Sequence, residues 1–217
     1  MSVTTAFAPL LDLVYPPRCP LCGEAIAAQK GLCLDCWSTL EIPSASGEDG
    51  ITAATLYNDT ARQLVLNFKH GRKIALAGMM ARQIAGRLPD LEGEWLAIPV
   101  PLHRIRLWQR GFNQSALLAT ELCKLVAARP LVDGLVRTRR TPSLGGLGRE
   151  ERARVLDGAI AVREVHRSRI AGANILLVDD VLTSGATTNA CRSALDQAGA
   201  ARLHVACFSR VPEGRLG

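Results

Sequence analysis

Aromatic side chains are scarce. Phe, Tyr and Trp make up 4% of the 217 residues, too few for the base-stacking platform that extended single-stranded nucleic-acid binders use. Long apolar runs are missing as well; none approaches the roughly 20 residues that a membrane-spanning helix needs. Residues 1–13 lack a basic start and carry Asp12 inside a short apolar stretch. They make a poor secretory leader, and a cytoplasmic protein without membrane insertion is expected. Cysteine is absent from 37 to 122 and acid from 95 to 120. No stretch repeats itself, which removes solenoids and propellers, and nothing supports sequence-specific reading of DNA.

What is present suffices for one good core and a small appendage, since 48% of the chain is hydrophobic. In a reducing compartment the seven cysteines read as thiols or metal ligands rather than disulfides. Cys19 and Cys22 form one Cys-x-x-Cys pair, Cys33 and Cys36 a second. Each pair can wrap two thiolates around a tetrahedral ion, and Gly23 permits the tight turn after the first. Together they complete a closed structural Zn2+ site in a segment too small for its own core. A redox pairing is the alternative. Cys123, Cys191 and Cys207 lie among apolar neighbours and read as inert core residues.

Residues 43–50 are polar and glycine-containing, the best boundary in the chain. They divide it into a module over 1–43 and a larger domain over 51–212. In that domain, 52–57 reads as an edge strand, and the apolar spacing predicts helices over 60–67 and 74–88. Residues 96–101 form a strand running into a proline-stiffened loop. A long helix is predicted over 115–128 with Leu125 on its buried side, then strands over 135–138 and 160–162. The arginine- and glycine-rich stretch 139–154 reads as a mobile loop. Strand 175–178, a helix over 187–198 capped by Gly199, and strand 203–209 close the pattern. Such alternation predicts an α/β fold, a mostly parallel sheet with helices on both faces.

Residues 175–187 carry the chemistry. Ile175, Leu176, Leu177 and Val178 make a strand fit for burial on both faces, and Asp179 and Asp180 stand where it ends. Thr183, Ser184, Gly185, Ala186 and Thr187 then turn into a helix. In open α/β sheets ligands gather beyond the carboxyl ends of strands. The turn offers N–H groups, hydroxyls and a helix N-terminus to a phosphate. Neighbouring acids beside a phosphate cradle match a sugar phosphate with free hydroxyls; an acidic turn before a capped helix is the plainer alternative. Net charge is +6, and two arginine clusters ahead of this loop are expected to flank its phosphate site. Arg104, Arg106 and Arg110 occupy the acid-free stretch, while Arg137, Arg139, Arg140, Arg149, Arg152 and Arg154 are offset only by Glu150 and Glu151. That placement favours polyanion handling, of a diphosphate, a nucleotide or single-stranded nucleic acid, over a merely solvated face.

Residues 175–187 closely resemble the 5-phosphoribosyl-1-diphosphate (PRPP) loop of type I phosphoribosyltransferases. The resemblance implies that Asp179 and Asp180 hold the ribose hydroxyls near Mg2+, and that Thr183, Ser184, Gly185, Ala186 and Thr187 bind the 5′-phosphate. Other motifs narrow the group: the cysteine module, Asn67-Phe-Lys-His-Gly71, Val100-Pro-Leu102, Arg110-Gly-Phe-Asn-Gln-Ser115 and Arg139-Arg-Thr-Pro-Ser143. Together with the loop they resemble the ComF family, competence-associated proteins with a zinc ribbon before a type I phosphoribosyltransferase-like domain. The resemblance spans roughly 15 to 212. Many members carry a second cysteine-rich ribbon, but residues 37–122 here contain no cysteine, so this chain departs from the family in offering one zinc site rather than two. Leu144 and Val155 stand where the family usually has glutamine and asparagine.

By the same resemblance Lys69 comes from the hood over the acceptor, Arg104 from the loop that meets diphosphate, and 139–154 from a basic lid. Arg110, Asn113 and Gln114 line the same pocket or serve as helix caps and surface donors. Two functions are implied: phosphoribosyl transfer to a nitrogenous acceptor, or PRPP binding without turnover. In the second, the protein is an accessory to DNA uptake that touches single-stranded DNA or a translocase.

Overall fold

The computed structural model describes residues 16–27, 31–44, 50–70, 74–103, 105, 107, 108, 111–139, 149–156 and 158–212. Arg104, Arg110 and the segment 140–148, with Leu144, lie outside them. A parallel sheet of five strands organises the chain. Its strands are β1 (Ile51–Leu56), β2 (Trp95–Pro99), β3 (Ala128–Pro130), β6 (Asn174–Leu182) and β7 (Arg202–Arg210), in the order β1-β7-β6-β2-β3. An antiparallel ribbon of β4 (Leu135–Arg137) and β5 (Ile160–Val162) stands apart from it.

Alternation along β6 shows how the layers arise. Leu176 and Val178 face one side, with Ala97 of β2 and Ala206 and Phe208 of β7. There they meet α2 (Asp59–His70), α3 (Leu76–Ala85) and α4 (Gln114–Leu122) through Leu64, Phe68, Met80, Ile84, Leu118 and Leu122. Ile175 and Leu177 face the other side. Their partners are Ile170 of α6 (Arg167–Ile170), Cys191 and Leu195 of α7 (Ala186–Gln197), and Leu135 and Ile160 of the ribbon. Helices cover both faces, as a strand apolar on every residue requires. Among the described residues no helix is long and apolar enough to cross a membrane.

Three local expectations change. The helix predicted over 115–128 stops at Leu122, and 128–130 is the edge strand β3. Leu125 is 47% exposed rather than buried. Pro130 fits an edge strand, whose outer N–H groups need no partner. The stretch 139–154 is not all loop, because α5 (Arg149–Leu156) begins within it and carries Val155. The signature strand also runs past its acids to Leu182, held there by β7 up to the pair Leu182–Arg210.

The cysteine module, which carries α1 (Leu34–Ser38), is docked on this core. Leu40 is buried in the same cluster as Leu64 and Phe68, with Leu21 and Leu32 packed against it. Asn67 Nδ2 of α2 donates to Pro20 O at 3.2 Å, and Thr39 and Thr60 share a hydroxyl bond of 2.8 Å.

Candidate functional site

Strand β2 ends at Pro99, opposite Val178, while β6 continues. The next two residues of β6, Asp179 and Asp180, therefore project beyond the carboxyl edge of β2, where an open α/β sheet collects ligands. The chain after β2 bends over this gap and stays tied to it, with Val100 N–H donating to Val178 O at 2.9 Å. Asn113 fastens the next element. Its Oδ1 caps α4 by accepting from Ser115 N–H at 3.1 Å, and its Nδ2 donates to Val100 O at 3.1 Å.

That cap fixes Ser115, whose Oγ donates to Asp179 Oδ1 at 3.0 Å; the same oxygen accepts the Asp180 N–H at 2.9 Å. Lys69, in the last turn of α2, places Nζ 2.8 Å from Asp180 Oδ2. Burial and the neighbouring Asp180 charge push the Asp179 carboxyl up to about 7, against the pull of Lys69 and Ser115. A carboxyl shifted by desolvation and a like charge in a cleft makes that cleft a candidate functional site.

A cavity of about 310 Å3 opens over the pair. Asp179, Asp180, Lys69, Gln114, Ser115, Thr183 and Thr187 reach it, together with Pro101 and Leu102 of the loop after β2. Of the three polar residues expected from the acid-free segment, Gln114 lines the cavity, Asn113 serves as cap and brace, and Arg110 lies outside the described residues. Ser184 and Gly185 face neighbouring hollows instead, one lined by Arg192 and Arg210, the other, shared with Ala186, along α7. The turn itself is set by Gly185, whose φ of +74° starts α7 with no side-chain cap. A left-handed residue there suits glycine and leaves the first N–H groups of the helix open.

Three polar residues of the cavity escaped sequence reasoning. Ser115 hid as the start of a helix, although its place two residues after an asparagine cap points it at the same loop. Arg137, in β4, is 9% exposed and lines the cavity; in the sequence it is one arginine of a cluster. Tyr57, just after β1, carries no sequence signal at all.

In the module, the sulfurs of Cys19, Cys22, Cys33 and Cys36 lie within 4.8 Å of one another. Burial raises the Cys19 thiol, but the N–H groups of Cys22, Cys33 and Leu21 turned towards it outweigh that and bring it down to about 6. N–H groups pointing at a sulfur are what a thiolate ligand needs. Four sulfurs closing on one point fit a structural zinc ion, and this is one cluster among the described residues.

Fold and site together define a phosphoribosyltransferase-type α/β domain joined to a zinc ribbon. Comparison with known families agrees: residues 116–216 match the phosphoribosyl transferase domain and residues 10–46 the double zinc ribbon domain. A phosphoribosyl transferase domain implies a site for PRPP. The likeness to the ComF family read from the motifs is borne out by the chain's homologues. The DNA utilization protein YhgH of Escherichia coli O6:H1 is 29% identical over 210 residues, covering 89% of this chain and 90% of its own. Competence protein F of Haemophilus influenzae is 26% identical over 201 residues, 90% and 85% of the two chains. Competence protein ComFC of Bacillus subtilis is 28% identical over 190 residues, 85% and 74%.

Proposed function

We propose that the chain binds PRPP with Mg2+ in the cavity over Asp179 and Asp180, and transfers its phosphoribosyl group to a nitrogenous acceptor in the service of DNA utilisation or uptake. The observation that carries this is the convergence of the acid pair, Thr183 and Thr187 on one cavity at the carboxyl edge of the sheet. Two carboxylates suit a vicinal diol, and the start of α7 suits a phosphate. The reading divides the chain into a ribbon over 1–43 and a transferase-like domain over 51–212, in the cytoplasm, where thiols stay reduced.

In such a transfer a C–N bond forms at the anomeric carbon as the C–O bond to diphosphate breaks. Positive charge builds on the sugar while the leaving group gains negative charge. The work of the protein is to orient the ribose and offset the departing charge. Asp179, held by Ser115, and Asp180 would grip the hydroxyls. Thr183 and Thr187, with the N–H groups of 184–186, would hold the 5′-phosphate. Arg137, Arg104 and the residues after β2 would meet the diphosphate, with 139–154 as a basic cover. Lys69, Tyr57, Gln114 and Arg110 would flank the acceptor. The oxygens of the acid pair suit a hard divalent cation, and Mg2+ bound there supplies charge neutralisation of the diphosphate.

Titration calorimetry with PRPP and Mg2+ tests the reading. We expect one site, lost in the double variant Asp179→Asn/Asp180→Asn; equal affinity in that variant would remove the role of the acids. A second reading is favoured by the names of the relatives, which speak of DNA utilization and competence. In it PRPP binds without turnover, and the arginines contact single-stranded DNA or a translocase. Diphosphate release with a panel of nucleobases supports the transferase. Steeply salt-dependent binding of single-stranded DNA without release supports the accessory.

A further inference from the structure

A ring of hydrogen bonds starts and ends on neighbouring residues of β6. Val178 O accepts the Val100 N–H at 2.9 Å, and Val100 O accepts from Asn113 Nδ2 at 3.1 Å. Asn113 Oδ1 accepts the Ser115 N–H at 3.1 Å, and Ser115 Oγ donates to Asp179 Oδ1 at 3.0 Å. The ring ties together three parts of the cavity wall: the loop of Pro101 and Leu102, the start of α4 with Gln114, and the carboxylate of Asp179. Ser115 is 5% exposed and Gln114 1%, so neither can swing aside without disturbing close packing.

The ring leaves the two oxygens of Asp179 unlike. Oδ1 takes two donors, Ser115 Oγ and the Asp180 N–H at 2.9 Å. Oδ2 has no hydrogen-bond or ion-pair partner among the described residues, although Asp179 lines the cavity. A carboxylate without such anchors turns over a broad range about its terminal bond. Two donors on one oxygen hold its plane, and the other oxygen then keeps a single direction.

We propose that Ser115, seated by Asn113, is a positioning residue that aims Asp179 Oδ2 at one sugar hydroxyl and so sets a preference for a ribo-configured diol. The inference rests on the PRPP reading of the cavity and deepens it by naming what selects the sugar. A hydroxyl that meets the fixed acceptor is held. One that is inverted leaves that oxygen without a donor in a place withdrawn from water, and the site rejects it. Without Ser115 the carboxylate turns to follow whichever hydroxyl is offered, and the selection fades.

The test titrates sugar 5-phosphates by calorimetry into the full zinc-loaded chain, with Mg2+ in every buffer. Ribose 5-phosphate is compared with its two epimers, arabinose 5-phosphate and xylose 5-phosphate, each of which inverts one hydroxyl of the diol. We expect the native chain to favour ribose over at least one epimer by about tenfold or more, and Ser115→Ala to narrow that ratio to within about threefold. Ser115→Thr restores the hydroxyl and should recover the preference. Asn113→Ala should narrow the ratio as well, and combining it with Ser115→Ala should change it no further. Inorganic diphosphate has no sugar hydroxyl, so native and Ser115→Ala chains should bind it within about threefold of each other. A merely structural serine would weaken every ligand by one factor and leave the sugar ratio untouched. That outcome overturns the proposal, and PRPP binding by the native chain would leave the reading of the cavity standing. A native chain that takes all three sugar phosphates equally overturns it too. One that binds neither PRPP nor any sugar phosphate overturns the reading of the cavity and this inference with it. If Ser115→Ala does not fold, Ser115→Cys keeps the volume with a weaker donor and must show the same loss of preference.

Discussion

Asp179 carries a cost in stability. Its carboxyl is pushed up to about 7, from a model-compound value of 3.8, chiefly by burial and by Asp180. A folded value above the unfolded one means that ionisation opposes folding. The penalty is absent below about pH 4, grows as pH rises to about 7 and is constant beyond. We therefore expect Asp179→Asn to stabilise the ligand-free protein at pH 8 by about 1–3 kcal/mol, a gain that fades towards pH 4. Thermal melts across that range check it; a gain independent of pH would show that the carboxyl ionises freely. Arg137 makes the complementary case. An arginine at 9% exposure beside two acids and a phosphate-type turn has charge to offer a polyanion. Arg137→Gln should weaken PRPP binding by about tenfold or more, the worth of a charged hydrogen bond, with the fold retained. Calorimetry together with a melt separates the two effects.

Among elements, the turn before α7 was the most legible in the sequence. Acids, small residues and glycine at fixed spacing leave few other structures, and the left-handed Gly185 agrees. A Cβ at that position would meet only Asn189 Nδ2, at 3.8 Å. The penalty of Gly185→Ala is then one of backbone conformation, about 1–2 kcal/mol. Because relief of that strain would reshape the phosphate cradle, PRPP and inorganic phosphate should both bind more weakly. A melting shift with unaltered phosphate affinity would detach the turn from the ligand. The elements that misled did so where tertiary context outweighs local pattern. Residues 123–127 keep helical spacing, but the chain must leave α4 to lay β3 beside Trp95. The basic stretch after β4 shows no apolar period, so α5 was invisible; its Leu156 is buried with Ala159 and with Ala186 and Ala190 of α7. Strand β6 outruns its apolar residues because β7 supplies hydrogen bonds as far as Leu182, which composition alone does not reveal.

At the scale of the whole molecule, the sequence reads as two units divided near 43–50, yet the packing ties the first to the core of the second. Leu40 shares the core of the larger domain, and Thr39, Asn58 and Glu41 tie the end of the module to the start of α2. Asn67, two residues before Lys69, is held by Pro20 O. This coupling was illegible because it depends on which face of α2 meets the ribbon, and both faces carry residues suited to either role. It would also couple a metal in the ribbon to the cavity over Asp179 and Asp180. Loss of the metal would unfold a segment too small to stand without it. Leu40 would then forfeit burial worth on the order of 2 kcal/mol, and the helix bearing Lys69 would lose its outer support. Chelation should therefore lower the melting temperature of the entire chain by several degrees, as about 2 kcal/mol does for a domain of this size. It should also weaken PRPP binding, with zinc restoring both. A chelated protein whose larger domain melts unchanged and binds PRPP as before would show the ribbon to be a separate attachment.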